Sequence, residues 1–172
     1  VMPITMQFAC DLLGAKYPDK AALWEQAIAG ALPADLADGM PEFTKPVATR
    51  AASGTVMQKL AKAVPYLVGG SADLAPSTKT LLTDSPSVGP RSFGGRNLHF
   101  GIREHAMGAM LNGLALHGGL RPYGATFFVF LDYCRPAVRL SAIMGLPVIY
   151  IFTHDSFYVG EDGPTHEPVE QL

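Results

Sequence analysis

The segment Pro147–Thr153, which reads PVIYIFT, constrains the fold more than any other part of the sequence. Its apolar residues follow one another without polar alternation, whereas a strand with one wet face alternates. Such a strand is typically buried on both faces, because helices cover both sides of a parallel sheet. The segment therefore predicts an α/β domain in which Pro147–Thr153 is a strand buried on both faces.

The preceding hundred or so residues alternate between short apolar runs and longer helical patterns. Strands alternating with helices are typical of doubly wound α/β folds, so we predict a three-layer α/β/α arrangement around a mostly parallel sheet. A loop without secondary structure, 71–96, is expected after the first strand. The other predicted strands are Tyr66–Gly70, Asn97–Phe100 and Tyr123–Phe128, and the predicted helices are Ala51–Val64, Arg103–His117 and Phe130–Met144.

The first 46 residues have a different pattern. Asp19 can cap a helix over Lys20–Ala31, and the proline-containing stretch Leu32–Pro46 indicates an extended connection. We predict a helical approach and linker over residues 1–46 and the α/β domain over residues 47–172. A hydrophobic content of 48% in 172 residues is sufficient for one domain with a sizeable core.

Composition excludes several classes of function. With 13 Lys+Arg against 15 Asp+Glu, the net charge is −2, which does not indicate a nucleic-acid partner. No apolar run reaches the roughly 18–20 residues that a membrane span needs. Two distant cysteines give neither a disulfide framework nor a metal-binding spacing. The expectation is a soluble protein of a reducing compartment.

The loop His154–Pro168 directly follows the apolar strand, so it leaves the carboxyl edge of the sheet, where α/β folds bind ligands. It carries two histidines and four acidic residues but no Lys or Arg. This set suits proton transfer and hydroxyl recognition. Metal binding is disfavoured because eleven residues separate His154 from His166, with no helical spacing. A solvated acidic loop is the alternative.

Two further features allow more than one interpretation. Glu104 lies in the first turn of the almost uncharged helix Arg103–His117, where it either complements the helix dipole or shares a proton with a ligand. This helix has no clear polar face, which predicts a central core helix or one packed against another subunit. Phe127, Phe130 and Tyr133 are spaced by three, which fits a core cluster or an aromatic wall for a ligand.

Five stretches of sequence, in order, resemble the pyrimidine-binding (middle) domain of the transketolase family. The resemblance implies the pyrimidine-type thiamine-diphosphate-binding fold and transfer of a two-carbon ketol unit from a ketose phosphate to an aldose phosphate. The stretches are PVATR (Pro46–Arg50), GGSADLAPS (Gly69–Ser77), HFGIREHAMG (His99–Gly108), PYGATFFVFLDY (Pro122–Tyr133) and THDSFYVGEDGPTHEPVEQL (Thr153–Leu172).

The resemblance assigns five residues to the cofactor. Glu104 matches the glutamate that hydrogen-bonds N1′ of the aminopyrimidine and helps the cofactor lose its C2 proton. Phe130 matches the aromatic residue that stacks on the pyrimidine, and Phe127 and Tyr133 complete its wall. Asp73 matches an aspartate near the cofactor and the subunit interface. Catalysis by Glu104 is therefore an expectation of the family match.

A second set of five residues is assigned to the substrate. Arg50, Ser77 and His154 match the residues that hold the sugar phosphate, a role that suits the fixed charge of arginine and the hydrogen-bond donors of arginine and serine. Asp162 matches an aspartate that binds a substrate hydroxyl. His166 matches a catalytic histidine near the C1 hydroxyl of the donor sugar.

Other parts of the family pattern differ or are missing. Phe157-Tyr158 replaces an expected Ile-Gly, and Thr78 replaces an expected asparagine. The family holds the diphosphate and its Mg²⁺ or Ca²⁺ in an N-terminal domain whose GDG-type motif is not found here, so no metal ligand is expected in this chain. The fold is expected to be incomplete at its C-terminus.

The resemblance therefore implies a fragment or a split-enzyme subunit that is inactive alone. Its expected partners are the N-terminal domain and a second subunit in a homodimer-like arrangement. A cytoplasmic enzyme of the pentose phosphate pathway is expected. The alternatives are ketol transfer of the dihydroxyacetone synthase type and a non-catalytic assembly module that retains the fold.

Overall fold

A computed structural model describes residues 4–156, 159–160 and 162–171. Its centre is one sheet of four parallel strands, in the spatial order β2-β1-β3-β4. Because all four strands run in the same direction, all their carboxyl ends lie at one edge. The strands are β1 (Leu67–Ser71), β2 (Asn97–His99), β3 (Arg121–Phe127) and β4 (Ile149–Thr153).

Helices cover both faces of this sheet. Tyr123 of β3 belongs to a buried cluster with Met57 and Ala61 on one face, while a side chain at the next residue, Gly124, would meet Leu111 on the other. The three-layer α/β prediction is confirmed. The helices are α1 (Ile4–Lys16), α2 (Pro18–Ile28), α3 (Thr49–Ala63), α4 (Ala75–Thr78), α5 (Glu104–His117) and α6 (Leu131–Ile143), and a 3₁₀ turn, Phe128–Phe130, precedes α6.

Glycine at two positions allows the second layer of helices to pack closely. A Cβ at Gly124 would lie 2.4 Å from Leu111 Cδ1, and a Cβ at Gly108 would lie 2.7 Å from Ala137 Cβ. Real Cβ atoms are essentially never found so close to another atom, so α5 packs on β3 and α6 at distances that only glycine permits. This packing fixes where the first residue of α5, Glu104, lies.

The prediction that Pro147–Thr153 is buried on both faces is wrong. Only Thr153 of β4 is buried, and Ile149 is 41% exposed. Because β4 ends the strand order, no described strand covers its outer edge. A local apolar run indicates a hydrophobic environment, but it does not show which segment supplies that environment.

The segment predicted as the loop 71–96 is partly ordered. Ser71 belongs to β1, and its Oγ accepts a hydrogen bond from the Leu74 N–H at 3.1 Å, just before the short helix α4. Thr78 and Thr80 are buried, and the Tyr123 hydroxyl donates to the Thr80 carbonyl at 2.9 Å. The loop therefore packs on the domain.

Two further expectations are corrected. Residues 4–16 form α1, which was not predicted, and residues 34–39 form turns within the stretch predicted to be extended. Helix α5 is not a central core helix among the described residues, since Met110 and Leu116 on its outer side are 49% and 58% exposed. None of the described helices has the length and apolar character of a membrane span.

Candidate functional site

The candidate site lies at the carboxyl edge of the sheet, where the chain changes direction. The connection after β1 leads to β2 on one side, and the connection after β3 leads to β4 on the other. Ligands of open α/β sheets bind in the crevice at such a switch point. Segments that follow all four strands line two adjoining clefts here.

The first of these, the aromatic cleft, has a volume of about 230 Å³. It is lined by Ala72, Asp73, Leu74, Ile102, Glu104, Phe130, Tyr133 and His166. The second, the polar cleft, has a volume of about 590 Å³ and opens beside it. It is lined by Ala48, Thr49, Arg50, Ser77, Phe127, His154, Asp155, Ser156, Val159, Asp162 and His166. His166 contributes to both clefts.

Glu104 is the buried acid of the aromatic cleft, with 7% of its surface exposed. It is the first residue of α5, where the helix dipole favours negative charge. Within the described ranges, no protein group is hydrogen-bonded to its carboxylate. Burying a charge is costly unless it is paired, so this carboxyl group is arranged to share a proton with a polar atom of a ligand.

One wall of the aromatic cleft is a row of rings. The 3₁₀ turn and the start of α6 place Phe130 and Tyr133 with ring centroids 5.9 Å apart and planes 27° apart. The Phe127 ring lies 6.0 Å from the Phe130 ring, centroid to centroid, with an interplanar angle of 8°. Tyr133 is 64% exposed. These faces suit offset stacking on a flat aromatic ligand.

Asp73 follows β1 with a φ of 66°, in the left-handed region that a non-glycine residue seldom occupies. Strained backbone of this kind concentrates at functional sites. Asp73 is exposed and lines the aromatic cleft.

An arginine–histidine contact organises the polar cleft. Arg50, in the first turn of α3, donates from Nη1 to Nε2 of His154 at 2.6 Å. Because Nε2 accepts, the ring proton is on Nδ1, which donates to Oγ1 of Thr153 at 2.9 Å. Burial, with a further contribution from the Arg50 charge, lowers the pKa of His154. The structure therefore fixes a neutral His154 beside a permanent cation.

The backbone orients His154 for this contact. Strand β4 ends at Thr153, and His154 has a φ of 53°, which turns its ring away from the strand. The ring lies 3.8 Å from the Phe127 ring, centroid to centroid. Like Asp73, His154 is a non-glycine residue in the left-handed region at the carboxyl edge.

His166 lies between the two clefts. Its ring contacts Phe127 and Phe130 edge-on, at centroid distances of 5.9 and 5.4 Å. Its Nδ1 lies 2.8 Å from Oγ1 of Thr165. This hydrogen bond leaves Nε2 as the ring nitrogen for a ligand. An imidazole in this position is within reach of groups bound in either cleft.

Ser77 and Asp162 complete the polar cleft. Ser77 lies on α4, and Asp162 is exposed in the segment after β4. A hydroxyl beside a guanidinium is suited to an oxyanion, and carboxylates accept hydrogen bonds from sugar hydroxyls. The cleft thus offers donors for an anion and carboxylate acceptors for hydroxyl groups.

The residues predicted from sequence are therefore divided between the clefts. Glu104, Phe130, Tyr133 and Asp73 line the aromatic cleft, with His166 in both. Phe127 packs beside Phe130 and lines the polar cleft. Arg50, Ser77, His154 and Asp162 lie together in the polar cleft. Phe157-Tyr158 and Glu161 lie outside the described residues.

Several lining residues were not predicted, notably Ala72, Leu74 and Ile102. Each lies within a few residues of the carboxyl end of a strand, and that proximity is the signal that could have found them. Over the described ranges, no three His, Cys, Asp or Glu side chains come close enough to hold a metal ion.

Comparison with known proteins agrees with this geometry. The family model "Transketolase, pyrimidine binding domain" matches residues 45–172. The chain belongs to this family. The transketolase of Geobacillus stearothermophilus is 59% identical over 158 residues, which are 91% of this chain and 24% of that protein. The chain thus spans about a quarter of the length of the transketolases that it matches.

Solved structures give the same family. Transketolase from Leishmania mexicana superposes with a TM-score of 0.92 at 43% identity, covering 95% of this chain and 25% of that chain. Transketolase from Pichia stipitis, solved in complex with sedoheptulose-7-phosphate, superposes with a TM-score of 0.90 at 40% identity and the same coverage. The family expected from the sequence is confirmed.

Proposed function

We propose that this chain is the pyrimidine-binding part of a thiamine-diphosphate-dependent transketolase, which transfers a two-carbon ketol unit from a ketose phosphate to an aldose phosphate. The observation that carries the proposal is the junction of the two clefts at His166: a buried carboxylate with an aromatic wall on one side and an arginine–histidine pair on the other. The Pichia stipitis relative was solved with a sugar phosphate, and the polar cleft offers Arg50 for a phosphate and Asp162 for a hydroxyl group.

The aromatic cleft suits the pyrimidine half of the cofactor. Thiamine diphosphate, when bound, supplies the electron sink for carbon–carbon bond cleavage. Glu104 would share a proton with N1′ of the aminopyrimidine, since its carboxylate is buried without a partner among the described residues. Phe130 and Tyr133 would hold the ring plane, and Asp73 would lie at its rim. Glu104 is thus proposed as catalytic.

The polar cleft suits the sugar phosphate. Arg50, Ser77 and His154 are proposed to hold the phosphate, with Arg50 exchanging its hydrogen bond to His154 for one to a phosphate oxygen. Asp162 would accept a hydrogen bond from a sugar hydroxyl. His166, at the junction, would lie near C1 of the donor and move a proton there.

The remaining requirements are proposed to be met outside this chain. A further domain would hold the diphosphate and its cation, Mg²⁺ or Ca²⁺. A second subunit would cover the exposed apolar side of α5, where Met110 and Leu116 lie, as in a homodimer. We place the enzyme in the cytoplasm and in the pentose phosphate pathway. The chain alone is proposed to be inactive.

The test uses the complete enzyme that contains this chain, loaded with thiamine diphosphate and Mg²⁺. Calorimetry measures cofactor binding, and NMR measures exchange of the cofactor C2 proton with deuterium. We expect Glu104→Gln to slow exchange by about 10²-fold or more, because general acid–base catalysis typically contributes that much. The matched control is Glu25→Gln on the exposed surface of α2, which should exchange at the wild-type rate.

The outcomes separate the alternatives. Failure of the folded wild-type enzyme to bind the cofactor would favour a non-catalytic assembly module. Cofactor binding with unchanged exchange in Glu104→Gln would refute the role of Glu104 alone. Turnover with formaldehyde in preference to aldose phosphates would identify the dihydroxyacetone synthase type.

A further inference from the structure

A continuous buried stripe joins α5 to α6 behind the aromatic cleft. On α5 it comprises Glu104, Gly108 and Asn112, which are spaced by four and therefore lie on one side of the helix. On α6 it comprises Cys134, Ala137 and Ser141, all buried. A Cβ at Gly108 would lie 2.7 Å from Ala137 Cβ and 2.9 Å from Cys134 Sγ, so the two helices pack almost backbone to backbone.

The end of the stripe farthest from Glu104 is a closed hydrogen-bond network. Asn112 donates from Nδ2 to the Ala137 carbonyl at 3.0 Å. Ser141 Oγ donates to Oδ1 of Asn112 at 2.5 Å. Tyr150 of β4 brings its hydroxyl to 2.9 Å from Ser141 Oγ. Because Ser141 gives its hydroxyl hydrogen to Asn112, the Tyr150 hydroxyl is the donor to Ser141 Oγ.

This network permits one axial register between the helices. An α-helix rises about 1.5 Å and turns about 100° per residue, so a change of register by one residue would turn Asn112 away from both the Ala137 carbonyl and Ser141. The Asn112 amide would then be buried without partners, at a cost of about 1–3 kcal/mol for each unpaired group, while Ser141 Oγ would keep its bond to the Ala137 carbonyl of its own helix. The glycine contact adds steric resistance to the same movement.

The register matters because each helix carries one side of the aromatic cleft. Glu104 begins α5, whereas Phe130 and Tyr133 lie at the start of α6. Asn112 is eight residues beyond Glu104, or about 12 Å along the helix axis. We propose that Asn112, Ser141 and Tyr150, here called the register anchor, are positioning residues that set the distance between the Glu104 carboxylate and the aromatic wall. This inference rests on the proposed function of the cleft.

The test removes single hydroxyls from the complete enzyme. Tyr150→Phe breaks one link of the register anchor, and Ser141→Ala breaks the two that the Ser141 hydroxyl makes, to Asn112 and to Tyr150. Tyr66→Phe is the matched control, because it also removes a buried tyrosine hydroxyl, one that donates to the Ala31 carbonyl far from the cleft. The measurements are the thiamine diphosphate Kd, C2-proton exchange, kcat and KM for the sugar phosphate, and Tm.

We expect both anchor variants to slow exchange and kcat by about tenfold, since a small misplacement of a catalytic group is enough for such a loss. The cofactor Kd should rise, and KM for the sugar phosphate should stay within about twofold, because Arg50 and Ser77, which are proposed to bind the phosphate, lie on α3 and α4. Tyr66→Phe should lower Tm to a similar extent without slowing exchange. The double variant should be less than additive, as expected for one network.

Equal exchange rates and equal losses of Tm in the anchor variants and in Tyr66→Phe would overturn the inference, and the network would then contribute to stability only. Unchanged exchange in the anchor variants would overturn it as well. Neither result would affect the proposed function, which fails only if the folded wild-type enzyme does not bind the cofactor.

Discussion

The two clefts are built on different kinds of structure. The aromatic cleft takes its acid and its rings mainly from the beginnings of α5 and α6, which glycine contacts and buried hydrogen bonds hold in register. The polar cleft takes His154, Asp155, Asp162 and His166 from the irregular segment after β4. Regular elements hold groups more precisely than loops do, so the cleft proposed for the pyrimidine is the more rigid.

The clefts also differ in how their charges are satisfied. Glu104 is buried and has no hydrogen-bond partner among the described residues, which suits a permanent ligand that supplies one. Arg50 is paired with His154, and this neutral partner can be exchanged for a substrate anion. The comparison indicates one cleft for a resident group and one for a group that enters and leaves.

Arg50→Ala is expected to show the largest difference between the two clefts, because it should impair use of the sugar phosphate and leave cofactor binding unchanged. Loss of a charge-assisted contact to phosphate should reduce kcat/KM for a ketose phosphate by about 10²-fold, because truncating one side of a charge pair costs about 2–5 kcal/mol. Cofactor affinity should be unchanged. The steady-state control is Arg139→Ala, an exposed arginine of α6. An equal loss with an unphosphorylated ketose would contradict the assignment of Arg50 to the phosphate.

Phe130→Ala should act on the other cleft. Removing the central ring of the aromatic wall should weaken thiamine diphosphate binding by about tenfold, the upper range for an aromatic pair. KM for the sugar phosphate should change less. Calorimetry on the complete enzyme provides the measurement. Phe128→Ala is the matched control, because Phe128 lies in the same 3₁₀ turn but packs against Phe152. Equal losses of cofactor affinity in both variants would contradict the assignment of Phe130 to the cofactor.

The smallest expected effect concerns the protonation of His154. Burial and the Arg50 charge lower its pKa from the ordinary value of 6.5. The unfolded chain therefore binds this proton at a higher pH than the native state, and the free energy of unfolding falls as pH drops below 6.5. Arg50→Ala should raise the pKa of His154 but not restore it fully, since burial, the larger cause, remains.

Histidine NMR titration of the complete enzyme measures this pKa, with His154→Gln to assign the resonance. A wild-type His154 that titrates above the ordinary imidazole range would contradict the neutral histidine that the Arg50 contact requires.

Much of the site could be predicted from the sequence, because strand ends and helix starts are recognisable in short stretches of the chain. Strand ends and helix starts share one edge of a parallel sheet, so Glu104, His154 and Phe130 could be brought near one another from their places in the pattern. Which of the two clefts Phe127 lines depends on the pleat of β3, and sequence spacing alone does not give that direction.

Other features depend on non-local structure. The exposure of β4 depends on the strand order, and an apolar run carries no information about its neighbours. Similarly, the anchor of Asn112 on Ser141 joins residues 29 positions apart, which no periodicity connects. The contact between Arg50 and His154 spans 104 positions, and only the family resemblance had placed these two residues at the same ligand.

The most direct measurement concerns the proton between Glu104 and the cofactor. The complete enzyme is loaded with thiamine diphosphate labelled with ¹⁵N at N1′, and the N1′ chemical shift is recorded for the wild type and for Glu104→Gln. A buried glutamic acid that donates to N1′ predicts a strongly shifted wild-type resonance that returns toward the value of the free cofactor in the variant. Identical N1′ shifts in the two proteins, both with bound cofactor, would contradict the role assigned to Glu104.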